Sequence, residues 1–249
     1  MSFLEGSPPR VIAHRGLALE HAENTLGAFG AALAAGADIL ETDVYLSKDG
    51  QVIIAHDADL ARVAGRPHLV SELSARELSR IDLGFGEGFS TLSEVLEEFP
   101  TARFNIDLKT PTVVDAFVDT VKKTASTPRV LVASFDENTR ARAVLALSPV
   151  ASSATSAHVM RGRAISALGL PIGFWNIPPE IVALQVPPSH RGLALVTPSL
   201  IGLARRKGLE VHVWTINEPR QMARFWQMGV SGIVTDRTDL AVTVRNELT

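Results

Sequence analysis

Residues Val130–Thr155, VLVASFDENTRARAVLALSPVASSAT, hold one complete strand–helix–strand unit. Val130 to Ser134 is a short apolar run ending in a polar residue, the pattern of a buried strand. A helix follows from about Asp136 to Leu147, and Val150 to Thr155 reads as the next strand. Outward from this unit the same alternation recurs. Strands that precede helices start near residues 11, 38, 103, 130, 150, 183, 211 and 232, and a terminal helix begins near Thr238. Eight such units in 249 residues, joined by right-handed crossovers, favour an α/β fold of the (β/α)8 TIM-barrel type. An open doubly wound sheet is the competitor. Against it, the first strand–helix turn, after the run Arg10 to Gly16, has no GxGxxG.

Two features interrupt the alternation. The second strand, Ala37 to Leu46, meets the turn Ser47-Lys48-Asp49-Gly50 and returns as Gln51 to Ala55, too soon for anything but a hairpin. Residues 57–90 then form a short insertion, in which Ser74-Ala75-Arg76-Glu77 has capping-box spacing and Gly84, Gly86 and Gly88 mark a loop. Thr91 to Glu94 opens a further helix in the same way. The insertion is too small for a domain of its own, so one barrel domain over 1–249 is expected.

Composition narrows the function classes. Hydrophobic residues make up 46% and charged residues 20%, enough for a sizeable core. A net charge of −3 without long runs of one sign disfavours a nucleic-acid or stable membrane surface. The absence of cysteine excludes disulfides and thiolate chemistry. No apolar stretch approaches the ~18 residues of a membrane span, and the start, MSFLEGSPPR, lacks the pattern of a signal peptide. A cytoplasmic protein is expected.

In a barrel the chemistry lies at the C-terminal ends of the strands. Glu41 and Asp43 sit at i and i+2 on one strand and face the same way. Two acids on one buried face call for a neutralising partner: a cation bound through oxygen, or a salt bridge at the solvent end. His14 and Arg15 follow the first strand, His56 ends the hairpin, and Asp107 and Lys109 end the third strand. Trp214 and Asn217 fall at the seventh strand and Asp236 after the eighth. Glu41, Asp43 and Asp107 are hard ligands suited to Mg²⁺ or Ca²⁺; with no cysteine, zinc is less natural. Arg15 and Lys109 are fixed cations able to hold a phosphate, although Asp107 and Lys109 also suit a plain ion pair. His14 and His56 can serve as one base and one acid near neutral pH. Together these groups suit phosphodiester cleavage.

The motifs His14-Arg15-Gly16, Glu23-Asn24-Thr25, Glu41-x-Asp43-Val44, Asp49-Gly50, His56-Asp57, Asn105 to Lys109, Val213 to Asn217 and Gly229 to Asp236 resemble, in this order, the glycerophosphodiester phosphodiesterase family. The resemblance implies a (β/α)8 barrel. It implies metal-dependent hydrolysis of glycerophosphodiesters, such as glycerophosphocholine or glycerophosphoethanolamine, to sn-glycerol 3-phosphate and an alcohol. By position it implies His14 and His56 as the acid–base pair, Arg15 and Lys109 as phosphate ligands, and Glu41, Asp43 and Asp107 as ligands of one divalent cation. The family route, attack by the glycerol 2-hydroxyl through a cyclic phosphate, is allowed by these residues, as is direct attack by water. A lysophospholipase D, cleaving the same bond in an acylated substrate, is the alternative; a non-catalytic barrel fits less well. Two residues depart from the family pattern: Ala22 stands where proline is usual before Glu-Asn-Thr, and Asp107 where glutamate is common. Phe85, Phe89, Trp175 and Trp214 are candidates to line the substrate entrance.

Overall fold

In the computed structural model, which describes residues 3–248, the strands are β1 (Arg10–His14), β2 (Ile39–Leu46), β3 (Val52–Ile54), β4 (Phe104–Leu108), β5 (Val130–Ala133), β6 (Ala151–Ser153), β7 (Ile181–Val186), β8 (Ser189–His190), β9 (Leu193–Ala194), β10 (Glu210–Val213) and β11 (Gly232–Thr235). The helices are α1 (Leu26–Ala34), α2 (Ala61–Ala64), α3 (Ala75–Leu78), α4 (Leu92–Glu98), α5 (Val114–Lys123), α6 (Glu137–Leu147), α7 (Ser156–Leu168), α8 (Pro198–Arg206), α9 (Pro219–Met228) and α10 (Thr238–Leu248). Parallel pairing runs β1-β11-β10-β7-β6-β5-β4-β2 and closes where β1 meets β2, giving an eight-stranded barrel. The hairpin strand β3 lies antiparallel on the far end of β2, with Val44 opposite Ile54.

Strand alternation decides what each side chain meets. On β2, Leu40 and Val44 face outward into a cluster with Phe29 of α1 and Phe104, while Ile39 packs inside the barrel with Ile12 and Leu131. Glu41 and Asp43 share the inward parity. At Gly232 a Cβ would lie 2.8 Å from the His212 ring, so this strand contact requires glycine. Below the apolar layer, Glu210 accepts from buried Arg10 (Nε 2.8 Å) and contacts buried His212 (Nε2 2.9 Å).

Helix starts follow side-chain caps: Thr25 accepts from Ala28 N, Asp136 from Thr139 N and Thr197 from Leu200 N. Ser74 with Glu77 and Thr91 with Glu94 form the expected capping boxes. The segment between β3 and α4 packs a small core of its own from Ile53, Leu60, Val70, Leu78, Ile81 and Phe89. After β7 the chain forms a β8–β9 hairpin; Arg191 and Gly192 turn it with positive φ of 48° and 79°.

Candidate active site

A cavity of about 550 Å³ opens at the C-terminal ends of the barrel strands. His14, Arg15, Glu41, Asp43, His56, Asp107, Lys109 and Trp214 all border it. A groove of about 540 Å³ at the opposite end, among Pro9, Ile201, Leu209 and Trp226, touches none of them.

The acidic floor is set by register. Glu41 pairs with Asn105 and Asp43 with Asp107 across β2 and β4, so the four side chains form one inward-facing block. Lys109 reaches back over it, its Nζ 2.6 Å from Asp43 Oδ1 and 2.8 Å from Asp107 Oδ2. Burial, then the charges of Asp43 and Asp107, push the Glu41 carboxyl well above its ordinary range. Burial likewise raises Asp107, against the pull of Lys109. For Lys109 burial works in the other direction, but Asp43 and Asp107 outweigh it and hold the ammonium charged.

Glu41 Oε2, Asp43 Oδ2 and Asn105 Oδ1 are buried without a hydrogen-bond donor among the described residues. Three unpaired oxygen acceptors in an acid-rich pocket fit a hard divalent cation. They do not enclose one as they stand: among the described residues no three His, Asp or Glu side chains converge to metal-binding distance. Lys109 occupies one oxygen each of Asp43 and Asp107.

Each histidine is backed by a carboxylate. His14 Nδ1 lies 2.6 Å from Asp236 Oδ1, and its Nε2 is 4.0 Å from Glu41 Oε2. Asn217 fixes Asp236 by donating to Oδ2 (2.7 Å) and accepting its backbone N–H (2.9 Å). His56 Nδ1 lies 2.8 Å from Asp57 Oδ1. A proton shared at Nδ1 leaves Nε2 of each ring free for chemistry. Burial opposes ionisation of Asp57 and Asp236, but hydrogen bonds from Arg62 and His56, and from His14 and Asn217, hold both carboxyls below their ordinary values.

Arg15 leaves β1 with φ 58° and donates its backbone N–H to Glu41 O at 2.9 Å. Its guanidinium bonds Glu23 at 3.1 Å and lies 3.8 Å from Asp43. At Gly16, φ is 89° and a Cβ would meet Ala28 at 2.6 Å, so only glycine lets the loop pack against α1. The Ala22 departure has a structural counterpart. Its N–H donates to Glu87 Oε2 at 2.8 Å, a bond proline cannot make, and Glu87 also contacts His21 and Thr25.

Three of the expected lining aromatics lie elsewhere. Trp175 is fully buried in the core: its ring covers Gly162 of α7 and its Nε1 donates to His158 O at 3.0 Å. Phe89 is buried in the small core between β3 and α4. Phe85 sits on an exposed loop with φ 58° and does not border the cavity. The aromatic wall is instead Trp214 with Phe135, edge to face at 6.4 Å. Arg62 and Glu87 were not singled out from sequence, and Asn105 entered only as the first residue of the Asn105 to Lys109 motif. For Asn105, the i−2 spacing from Asp107 was the available signal.

A family model described as the glycerophosphoryl diester phosphodiesterase family matches residues 14–240. A Mycobacterium tuberculosis protein named probable glycerophosphodiester phosphodiesterase 2 is 34% identical over 96% of this chain and 92% of its own length. A human protein named lysophospholipase D GDPD1 is 28% identical, covering 90% of this chain and 82% of its own. Among solved structures, an Oleispira antarctica phosphodiesterase in complex with sn-glycerol-3-phosphate shares the fold, with TM-score 0.77, 24% identity and coverage of 96% of this chain and 97% of that one.

Proposed function

This chain belongs to the glycerophosphoryl diester phosphodiesterase family and is a phosphoric diester hydrolase acting on glycerophosphodiesters, and we propose that His14 and His56 are its acid–base pair and that Arg15 and Lys109 hold its phosphate. The observation that carries this reading is the pair of carboxylate-backed imidazoles bordering one cavity with the acidic floor and two cations. Arg15 and Lys109 present N–H groups to the phosphoryl oxygens. One imidazole accepts at Nε2 the proton of the attacking hydroxyl, as the new P–O bond forms. The other, as imidazolium, delivers its Nε2 proton to the departing alkoxide as the ester P–O bond breaks. Asp236 and Asp57 keep the two rings oriented. The same pair serves attack by the glycerol 2-hydroxyl, with water opening the cyclic phosphate afterwards, and direct attack by water.

Glu41 and Asp43, with Asp107, are the residues proposed to hold one divalent cation, Mg²⁺ or Ca²⁺, which when bound supplies Lewis-acid stabilisation of charge on the phosphoryl oxygens. The product sn-glycerol 3-phosphate has a counterpart in the ligand of the Oleispira structure. No helix among the described residues is long and apolar enough to cross a membrane; the cytoplasm is the proposed compartment.

The test is release of glycerol 3-phosphate from glycerophosphocholine and glycerophosphoethanolamine, with Mg²⁺, Ca²⁺ or chelator. His14→Ala and His56→Ala are each expected to lower kcat by at least about 10²-fold, and chelator to abolish turnover. Full activity in the double variant would overturn the acid–base assignment. A second reading, cleavage of acylated substrates, draws on the apolar side of the cavity, formed by Phe135, Val159, Met160 and Leu195, and on the human relative's name. Comparing turnover of lysophosphatidylcholine with that of glycerophosphocholine decides between them.

A further inference from the structure

We propose that Arg62 is a positioning residue for the reaction, one guanidinium aligning Arg15 through Glu23 and His56 through Asp57. The inference rests on the roles proposed above for Arg15 and His56. Arg62 belongs to α2, in the segment that leaves the barrel after His56. Its Nη2 and Nη1 bond the two oxygens of Glu23 at 2.5 and 3.1 Å, a two-point grip that fixes the carboxylate plane. Its Nε bonds Asp57 Oδ2 at 2.6 Å. Both carboxylates pass the constraint on: Glu23 Oε1, shared with Arg62, also accepts from Arg15 Nη1 at 3.1 Å, and the other oxygen of Asp57, Oδ1, contacts His56 Nδ1 at 2.8 Å. Arg15 and His56 come from different strand ends and border the same cavity. Arg62 itself does not border it.

A second contact supports the same role for the segment. Before α4 the chain returns to the loop between β1 and α1, where Glu87 takes the Ala22 N–H and the Thr25 hydroxyl. The loop carrying Glu23 is therefore held at two points by the one excursion. Arg62 is 48% exposed, and exposed ion pairs add little to stability. Its removal should act on geometry more than on folding.

The experiment compares Arg62→Ala, Arg62→Lys and His56→Ala in steady-state assays with glycerophosphocholine, with and without added millimolar guanidinium, alongside thermal melts. Arg62→Ala should lower kcat/KM about 10- to 100-fold, the scale of lost orientation of groups that touch substrate. The loss should divide between a raised KM, through Arg15, and a lowered kcat, through His56, with a melting temperature close to wild type. Guanidinium should restore activity several-fold in Arg62→Ala and leave wild type unchanged, and Arg62→Lys should fall between. Arg62→Ala within about twofold of wild type, while His56→Ala is inactive, overturns this inference alone. Loss without rescue by guanidinium or by lysine, together with a lowered melting temperature, also overturns it, since that is a folding defect. A fully active His56→Ala overturns the acid–base reading and this inference with it.

Discussion

Glu41 is the residue whose surroundings are hardest to reconcile with stability alone. It is buried beside Asp43 and Asp107, and one of its oxygens has no donor among the described residues. Burial first, then those two charges, raise its carboxyl above the ordinary value of 4.5. Between that value and the raised one, the unfolded chain has given up a proton that the native chain keeps. Stability therefore falls as pH rises through this window. In the presence of chelator, Glu41→Gln should unfold at higher denaturant than wild type at pH 7, and its stability should depend less on pH above about 4.5. Added Mg²⁺ or Ca²⁺ should raise the melting temperature of wild type and not of the variant, because binding to the native state alone stabilises it. A Glu41→Gln protein that is weaker than wild type in chelator, and still stabilised by the cation, would contradict the proposed ligand.

At the scale of elements, the loop between β1 and α1 holds the site through bonds made by a distant segment. Ala22 and Glu87 are 65 residues apart, and the carboxylate of Glu87 meets the Ala22 N–H, the Thr25 hydroxyl and His21. Replacing Glu87 by Ala leaves the Ala22 N–H without its acceptor, while the Thr25 hydroxyl keeps the Ala22 carbonyl. Such a loss costs about 1–2 kcal/mol locally. Hydrogen exchange of a peptide covering residues 17–25 should quicken in Glu87→Ala, with the barrel strands unchanged and kcat/KM reduced severalfold. Unchanged exchange would show that Gly16 packing against α1 holds the loop unaided. The sequence placed this element correctly but left Ala22 as a missing proline. What replaces the ring is a side chain that the chain order does not bring near.

For the whole molecule, the active-site end of the barrel is polar and the other end is closed by Arg10, Glu210 and His212 beneath an apolar layer. Burial disfavours the Glu210 carboxylate, yet His212 and Arg10 hold its pKa down at about 2, against an ordinary value of 4.5. A depressed carboxyl contributes stability that is fully present above the unfolded value and is lost as pH falls through the folded one. The window is thus pH 4.5 down to about 2, with a size on the order of 3 kcal/mol. Glu210→Gln should flatten the acid limb of denaturant melts in that window. At pH 7 it should destabilise by about 3 kcal/mol, because buried Arg10 loses its counter-charge. An acid limb as steep as that of wild type would move the effect to other carboxylates.

The strand–helix order was legible in the sequence because apolar periodicity and caps are local: Thr25, Ser74, Thr91 and Thr197 start their helices within three residues of the groups they bond. The sharing of one face by Glu41 and Asp43 was legible for the same reason, since strand alternation needs only neighbours. Tertiary structure decided whatever depends on a partner far along the chain. It set Asn105 beside Glu41 through register, seated Trp175 over Gly162 in the core rather than at the cavity, and joined Arg62 to Glu23 across 39 residues. An aromatic side chain or a guanidinium satisfies itself equally well in many places. Only closure of the barrel brings together the particular surfaces and charges that choose among them.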